Sequence, residues 1–121
     1  MSSRISALYQ RSILLKASGK FYDAEPLARE YLEISKRLHG EEHPDVGVAL
    51  ANLASIYEDM ENNDEALKHY EQCLELRQRL FQGRDHSDIA ECLQKVALMK
   101  HKLGQYKQVL IYFERSLEMN K

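Results

Sequence analysis

Sliding the chain against itself by 43 residues superposes Gly40 on Gly83, His43 on His86, Asp45 on Asp88, Leu50 on Leu93 and Leu53-Ala54 on Val96-Ala97. The match runs on through Leu67 on Leu110, Tyr70 on Phe113, Leu74 on Leu117 and Leu76 on Met119. A shift of 42 adds an earlier copy, with Ala24 on Ala66, Leu32 on Leu74, Ile34 on Leu76 and Leu38 on Leu80. A chain repeating at this period stacks like units, because no single unit buries its own apolar face. The change of period falls between Leu80 and Gly83, so a loop takes up the extra residue; inside a helix it would rotate every later side chain off its face.

Within each copy the apolar spacing is helical, as in Leu50, Leu53, Ala54, Tyr57 and then Ala66, Tyr70, Cys73, Leu74. Each copy therefore reads as two amphipathic helices, giving an all-α chain with helices near 3–18, 20–39, 44–60, 63–82, 87–103 and 105–119. Gly19, Asn62-Asn63 and Gly104 supply the turns within repeats, while Gly40 and Gly83 end helices between them. Pro26 is expected in the first turn of its helix, where the missing amide donor costs little. The division is one domain over 1–121, with repeats at about 1–42, 43–85 and 86–121. At 121 residues and 44% hydrophobic content, one modest core is within reach.

The pattern Leu50, Leu53-Ala54, Tyr57, Ala66, Tyr70, continued by Leu93, Val96-Ala97, Val109, Phe113 and Ser116, resembles the tetratricopeptide repeat. The long period, with Gly-Glu-Glu-His-Pro-Asp-Val at 40–46 and Asp-Ala-Glu-Pro-Leu at 23–27, is similar to the kinesin light chain subclass. Lys100, Val109 and Ser87 depart from it, standing where an aromatic or apolar residue, Ala and Pro are usual. The resemblance implies a right-handed α-solenoid of six antiparallel helices with a concave surface lined by the first helix of each repeat. It brings forward Tyr9, Ile13 and Lys16, then Val48, Ala51, Asn52, Ser55 and Asp59, then Glu91, Gln94, Lys95, Leu98 and Lys102 as a peptide-binding groove. Ala51 and Ser55 stand where chaperone adaptors of this family hold a terminal carboxylate, so that clamp is not expected.

The implied function is a non-catalytic interaction module, binding a protein or peptide segment as part of a larger scaffold or adaptor. A formal charge of -2 argues against nucleic acid, the more so as residues 41–80 carry ten acidic groups against three basic. Glu58 and Asp59 in that block suggest a ligand with a basic centre. No apolar run approaches the roughly 20 residues that span a bilayer. The acidic cluster at 58–65 has no accompanying nucleophile or phosphate-cradling loop, so it reads as a solvated face, with no catalytic residue and no cofactor. No metal site is expected: His43 and His86 lie a repeat apart, in equivalent turns, and His39, His69 and His101 read as surface or groove positions. Cys73 and Cys92 read as reduced core thiols, which suits a cytoplasmic location. The last helical pattern has no polar helix after it, so the chain is expected to be part of a longer array or to pack this end on another molecule. Self-association would then use Val109, Tyr112, Phe113 and Ser116.

Overall fold

The computed structural model describes residues 2–119, apart from the side chains of residues 2, 3 and 107. Residues 1 and 120–121 of the expected outer repeats lie outside the described residues. The described residues form α1 (Ser2–Ala17), α2 (Phe21–His39), α3 (Pro44–Asp59), α4 (Asn63–Leu80), α5 (Ser87–Lys102) and α6 (Val109–Met119), with a 3-10 turn at Tyr106–Gln108 before α6. No strand occurs among them. Each helix packs on its neighbours in chain order, making three helix-turn-helix pairs laid side by side.

The close approaches are made by small residues. Ala24, Ala28, Ala49, Ala54, Ala66 and Ala97 are wholly buried, which lets helix backbones draw near while Leu53, Ile56, Leu93 and Met99 fill the space between. Leu53 and Leu74 are both core, as their spacing predicts.

The turns inside the pairs share one conformation, but the second reaches it with a different residue from the one expected. Gly19, Glu61 and Gly104 are equivalent by the repeat, and all three have positive φ, 78°, 60° and 78°. Asn62 instead caps α4, its Oδ1 accepting from the Glu65 amide. Glu61 thus occupies a left-handed conformation in which glycine bears no steric penalty. The inserted residue of the longer loop is Gln82, also left-handed at φ 52°. Pro26 is not in the first turn, because α2 starts at Phe21 and places it in the second. The proline there denies a donor to the Tyr22 carbonyl, and both side chains are exposed, on a face where water can serve as partner.

Between pairs, each new helix starts on a histidine. His43 and His86 are extended N-caps whose Nδ1 atoms accept from the Asp45 and Asp88 amides, both at 3.0 Å. Their rings stack on residues at the end of the preceding helix, His43 on His39 at 4.1 Å and His86 on Phe81, just past α4, at 3.8 Å. The equivalence of the two histidines is therefore structural: ring stacking fixes the entry of the chain into α3 and α5.

Glu25 is the buried carboxylate of the α2–α3 contact, paired with Arg29 and accepting from the Tyr57 hydroxyl at 2.9 Å. Burial raises its pKa, but the hydrogen bonds from Arg29 and Tyr57 outweigh that and hold it below 4.5. The ionised form therefore stabilises the fold above the unfolded value, and this contribution is lost as pH falls through the lower folded value. In acid titration of wild type and Glu25→Gln followed by helical circular dichroism, the stability difference favouring wild type should shrink below about pH 4.5. Leu53→Ala should lose about 2–5 kcal/mol in denaturant unfolding. Glu61→Gly should gain about 1 kcal/mol, since only its left-handed backbone is changed for the better; a loss would show that the Glu61 side chain matters more than its φ.

Candidate functional site

The expected groove residues all lie on α1, α3 and α5, and polar contacts bind these three helices side to side. Lys16 at the end of α1 meets Asp59 at the end of α3, Nζ to Oδ2 at 3.0 Å. Asn52 Nδ2 donates to Ser12 Oγ at 3.1 Å, and that hydroxyl donates to the Tyr9 carbonyl at 2.7 Å. Across the next junction Glu58 takes Lys102 at 3.5 Å and Lys95 at 3.8 Å. The Tyr70 hydroxyl, from α4, donates to the same carboxylate at 2.9 Å. Burial first, then the Glu58 charge, push the Tyr70 phenol far above its ordinary value, so it remains a donor.

These contacts alter two expectations. Asn52 has one amide N–H committed to α1, leaving its carbonyl oxygen and second N–H for a ligand. Glu58 and Asp59 are not bare negative charges, because lysines of the flanking helices stand against both. A preference for a basic ligand centre loses its basis.

Ile13 and Val48 remain exposed apolar points on this surface, while Ala51, Ser55 and Leu98 are half-buried. Tyr9 turns inward, its ring 4.9 Å from Tyr31 of α2. Glu91 and Gln94 are exposed, and neither side chain makes a hydrogen bond or ion pair among the described residues. A polar hollow of about 550 Å³ opens at the end of the surface, between Glu58, Asp59, Glu61, Asn63 and Lys102. A larger cleft, about 710 Å³, lies elsewhere, between α1 and α2, with Arg4, Pro26, Arg29 and Ile34 in its wall.

Glu58 and Tyr70 belong to the site although the groove pattern omits them. The repeat did carry a signal for Tyr70, as a core aromatic position, but not for its hydroxyl. His39, His43 and Asp45 come together as well, with one donor atom from each inside 4.8 Å and His39 Nε2 3.3 Å from Asp45 Oδ2. The spacing of four between the histidines could have signalled this contact. Their rings lie only 16° from parallel, so their lone pairs run side by side rather than toward a common point, and His43 Nδ1 is engaged in the cap. The geometry is that of a stacked helix start.

The expected self-association residues divide. Ser116 is buried, its hydroxyl donating to the Ala90 carbonyl at 3.2 Å, the counterpart of Cys73 donating to the Gly47 carbonyl at 3.3 Å. It cannot line an outer face. Val109 and Tyr112 are half-buried, and Tyr112 lies under the Lys100 ammonium at 5.7 Å. Phe113 is exposed, as expected, and its outward companions are Leu110 and Leu117. In the second pair the same three positions, Leu67, Tyr70 and Leu74, are 8%, 3% and 7% exposed; here they are 69%, 39% and 65%. The difference is the helix that follows: α5 packs across α4, and no helix follows α6 among the described residues.

Comparison with known proteins bears on the same repeats. The family profile described as "Tetratricopeptide repeat" matches residues 3–79 and again 45–121. The crystal structure of BtubC (BKLC) from P. vanneervenii superposes with a TM-score of 0.90 over 96% of this chain, at 24% sequence identity. This chain spans 46% of that one, and the likeness establishes the shared helical fold. Comparison with curated proteins returns no match. No helix among the described residues is long and apolar enough to cross a membrane. Replacing Glu58 with Gln should release both lysines, and Tyr70→Phe should cost about 1 kcal/mol through loss of one buried hydrogen bond; equal stability of Tyr70→Phe and wild type would mean that the Glu58 contact is idle.

Proposed function

Because this chain belongs to the tetratricopeptide repeat family, we propose that it is a non-catalytic interaction module receiving an extended or helical segment of another protein across α1, α3 and α5. The observation that carries this reading is the placing of exposed Ile13 and Val48 among cross-linked polar groups. Apolar points give a segment contact area, and oriented polar groups set its register. Glu58 and Asp59 are each paired with opposite charge, so a ligand engages them by exchanging partners with Lys16, Lys95 or Lys102 rather than by filling an acidic hole. The same matching leaves no basic stripe to follow a phosphate backbone, which supports a protein partner over nucleic acid. A surface of this extent supports affinity on the order of micromolar. This role suits a segment of a larger scaffold or adaptor.

The test is a peptide library screened against the intact chain, followed by nuclear magnetic resonance mapping of a selected peptide. Shifts should concentrate on α1, α3 and α5, and Val48→Asp should weaken binding at least tenfold, about 1.4 kcal/mol. Lys68→Ala, an exposed change on α4, should leave it unaltered. Shifts confined to α2 and α4 would overturn the reading.

A second reading, self-assembly through the last helix, rests on the exposure of Leu110, Phe113 and Leu117 at positions that are covered in the pair before. Light scattering should show association that rises with concentration and is abolished by Phe113→Asp. A monomer at all concentrations would remove it.

A further inference from the structure

Cys73 and Cys92 are buried in the junction between the second and third helix pairs, with their Sγ atoms 3.5 Å apart. Arg77, one turn along α4 from Cys73, directs Nη1 to Cys92 Sγ at 3.2 Å and to the Asp88 carbonyl at 3.3 Å. Among the described residues no carboxylate lies within ion-pair distance of Arg77, although the Asp88 charge acts on it from further off. A guanidinium in an interface favours an anion in contact with it, and the side-chain group that its Nη1 touches is the Cys92 thiol.

The repeat supplies an internal control. The corresponding positions of the first junction are Tyr31, Ser35 and Ala49, so that junction packs with neither a thiol pair nor a cation at these three positions. Packing alone therefore does not call for Cys73, Arg77 and Cys92 together. We propose that these three residues form a peroxide-reactive dithiol site, in which Cys92 is the attacking thiol, Cys73 the resolving thiol and Arg77 the group that holds the Cys92 thiolate.

The steps balance. The Cys92 thiolate attacks one oxygen of hydrogen peroxide, the O–O bond breaks, and hydroxide leaves as Cys92 becomes a sulfenic acid. The Cys73 sulfur then displaces that oxygen: an S–S bond forms, the S–O bond breaks, and the Cys73 proton leaves with the oxygen as water. Two thiols are oxidised and one peroxide is reduced. Linkage requires the sulfurs to close from 3.5 Å to the roughly 2 Å of a disulfide. The assignment of roles agrees with the ionisation of the pair. The contact with Cys73 and the Arg77 charge hold the Cys92 thiol below its ordinary value against burial and the Glu91 charge, while the same contact and burial push Cys73 up. Peroxide is small and uncharged, so it can enter a junction closed to larger oxidants. The product is a covalent clasp joining α4 to α5.

The experiment treats the intact chain with dilute hydrogen peroxide and maps it by mass spectrometry under non-reducing conditions. The expected product is a Cys73–Cys92 linked peptide, lighter than the two thiol peptides by two hydrogens, reopened by dithiothreitol and accompanied by a higher unfolding midpoint. With Cys73→Ser, Cys92 should gain one oxygen by mass; with Cys92→Ser, Cys73 should stay unmodified at the same dose. Arg77→Gln should slow linkage about tenfold or more, and Arg77→Lys should restore most of the rate. Wild-type thiols that react only after denaturation, or gain oxygen without linking, would overturn the proposal. An unchanged rate in a helical Arg77→Gln protein would do the same.

Discussion

The structure depends on one shortage. A pair of helices carries more apolar surface than its two members can hide from water, and only the next first helix supplies the missing cover. Leu67, Tyr70 and Leu74 are buried because α5 follows α4, and the buried alanines allow that helix to come close enough to exclude water. Most else serves this stacking: the histidine caps aim α3 and α5, the left-handed turn residues fold each pair back, and the single inserted residue is confined to a loop.

The polar contacts sit at the same junctions and add direction to a contact that burial alone leaves loose. Glu25 reaches Tyr57, and Lys100, in the slot equivalent to Tyr57, reaches Glu71 at 3.8 Å. A buried ammonium thus replaces a phenol: its methylene stem packs where a ring stood, and its charge finds a carboxylate on the preceding helix. On the inner surface Lys16, Asn52, Glu58, Asp59 and Lys102 join successive first helices. Residues that look like ligand contacts are therefore partly parts of the frame, and a ligand meets a surface whose polar groups are already ordered.

Much of this was legible in sequence because it is local. Helical spacing at Leu50, Leu53, Ala54 and Tyr57 depends on residues within two turns, and the repeat multiplied that signal. The misreadings came where local signals compete or where partners are distant. Asn62-Asn63 is a stronger turn signal than Glu61, yet Asn62 is a cap and Glu61 takes the left-handed backbone. The short distance from the turn at Gly19 suggested that Pro26 falls in the first turn of α2, but the helix begins at Phe21 and places it in the second. The pairing of Glu58 with Lys95 and Lys102 joins residues far apart in the chain, and no period reports on which long side chain reaches across a junction. Ser116 was misplaced although its repeat partner Cys73 bonds to its own first helix in the same way. Membership of the last helix suggested an outer face; position within it dictated an inner one.

The uncovered side of α6 differs from an ordinary sticky patch in what happens once it is covered. It is a copy of the surface that α4 offers to α5, so whatever covers it well resembles a first helix. If that helix brings a second helix of the same kind behind it, an equivalent open surface reappears one step further on. Growth of such a stack does not end by saturation. It ends only with a unit whose trailing helix has a polar outer side, and the identity of that unit fixes the length of the assembly.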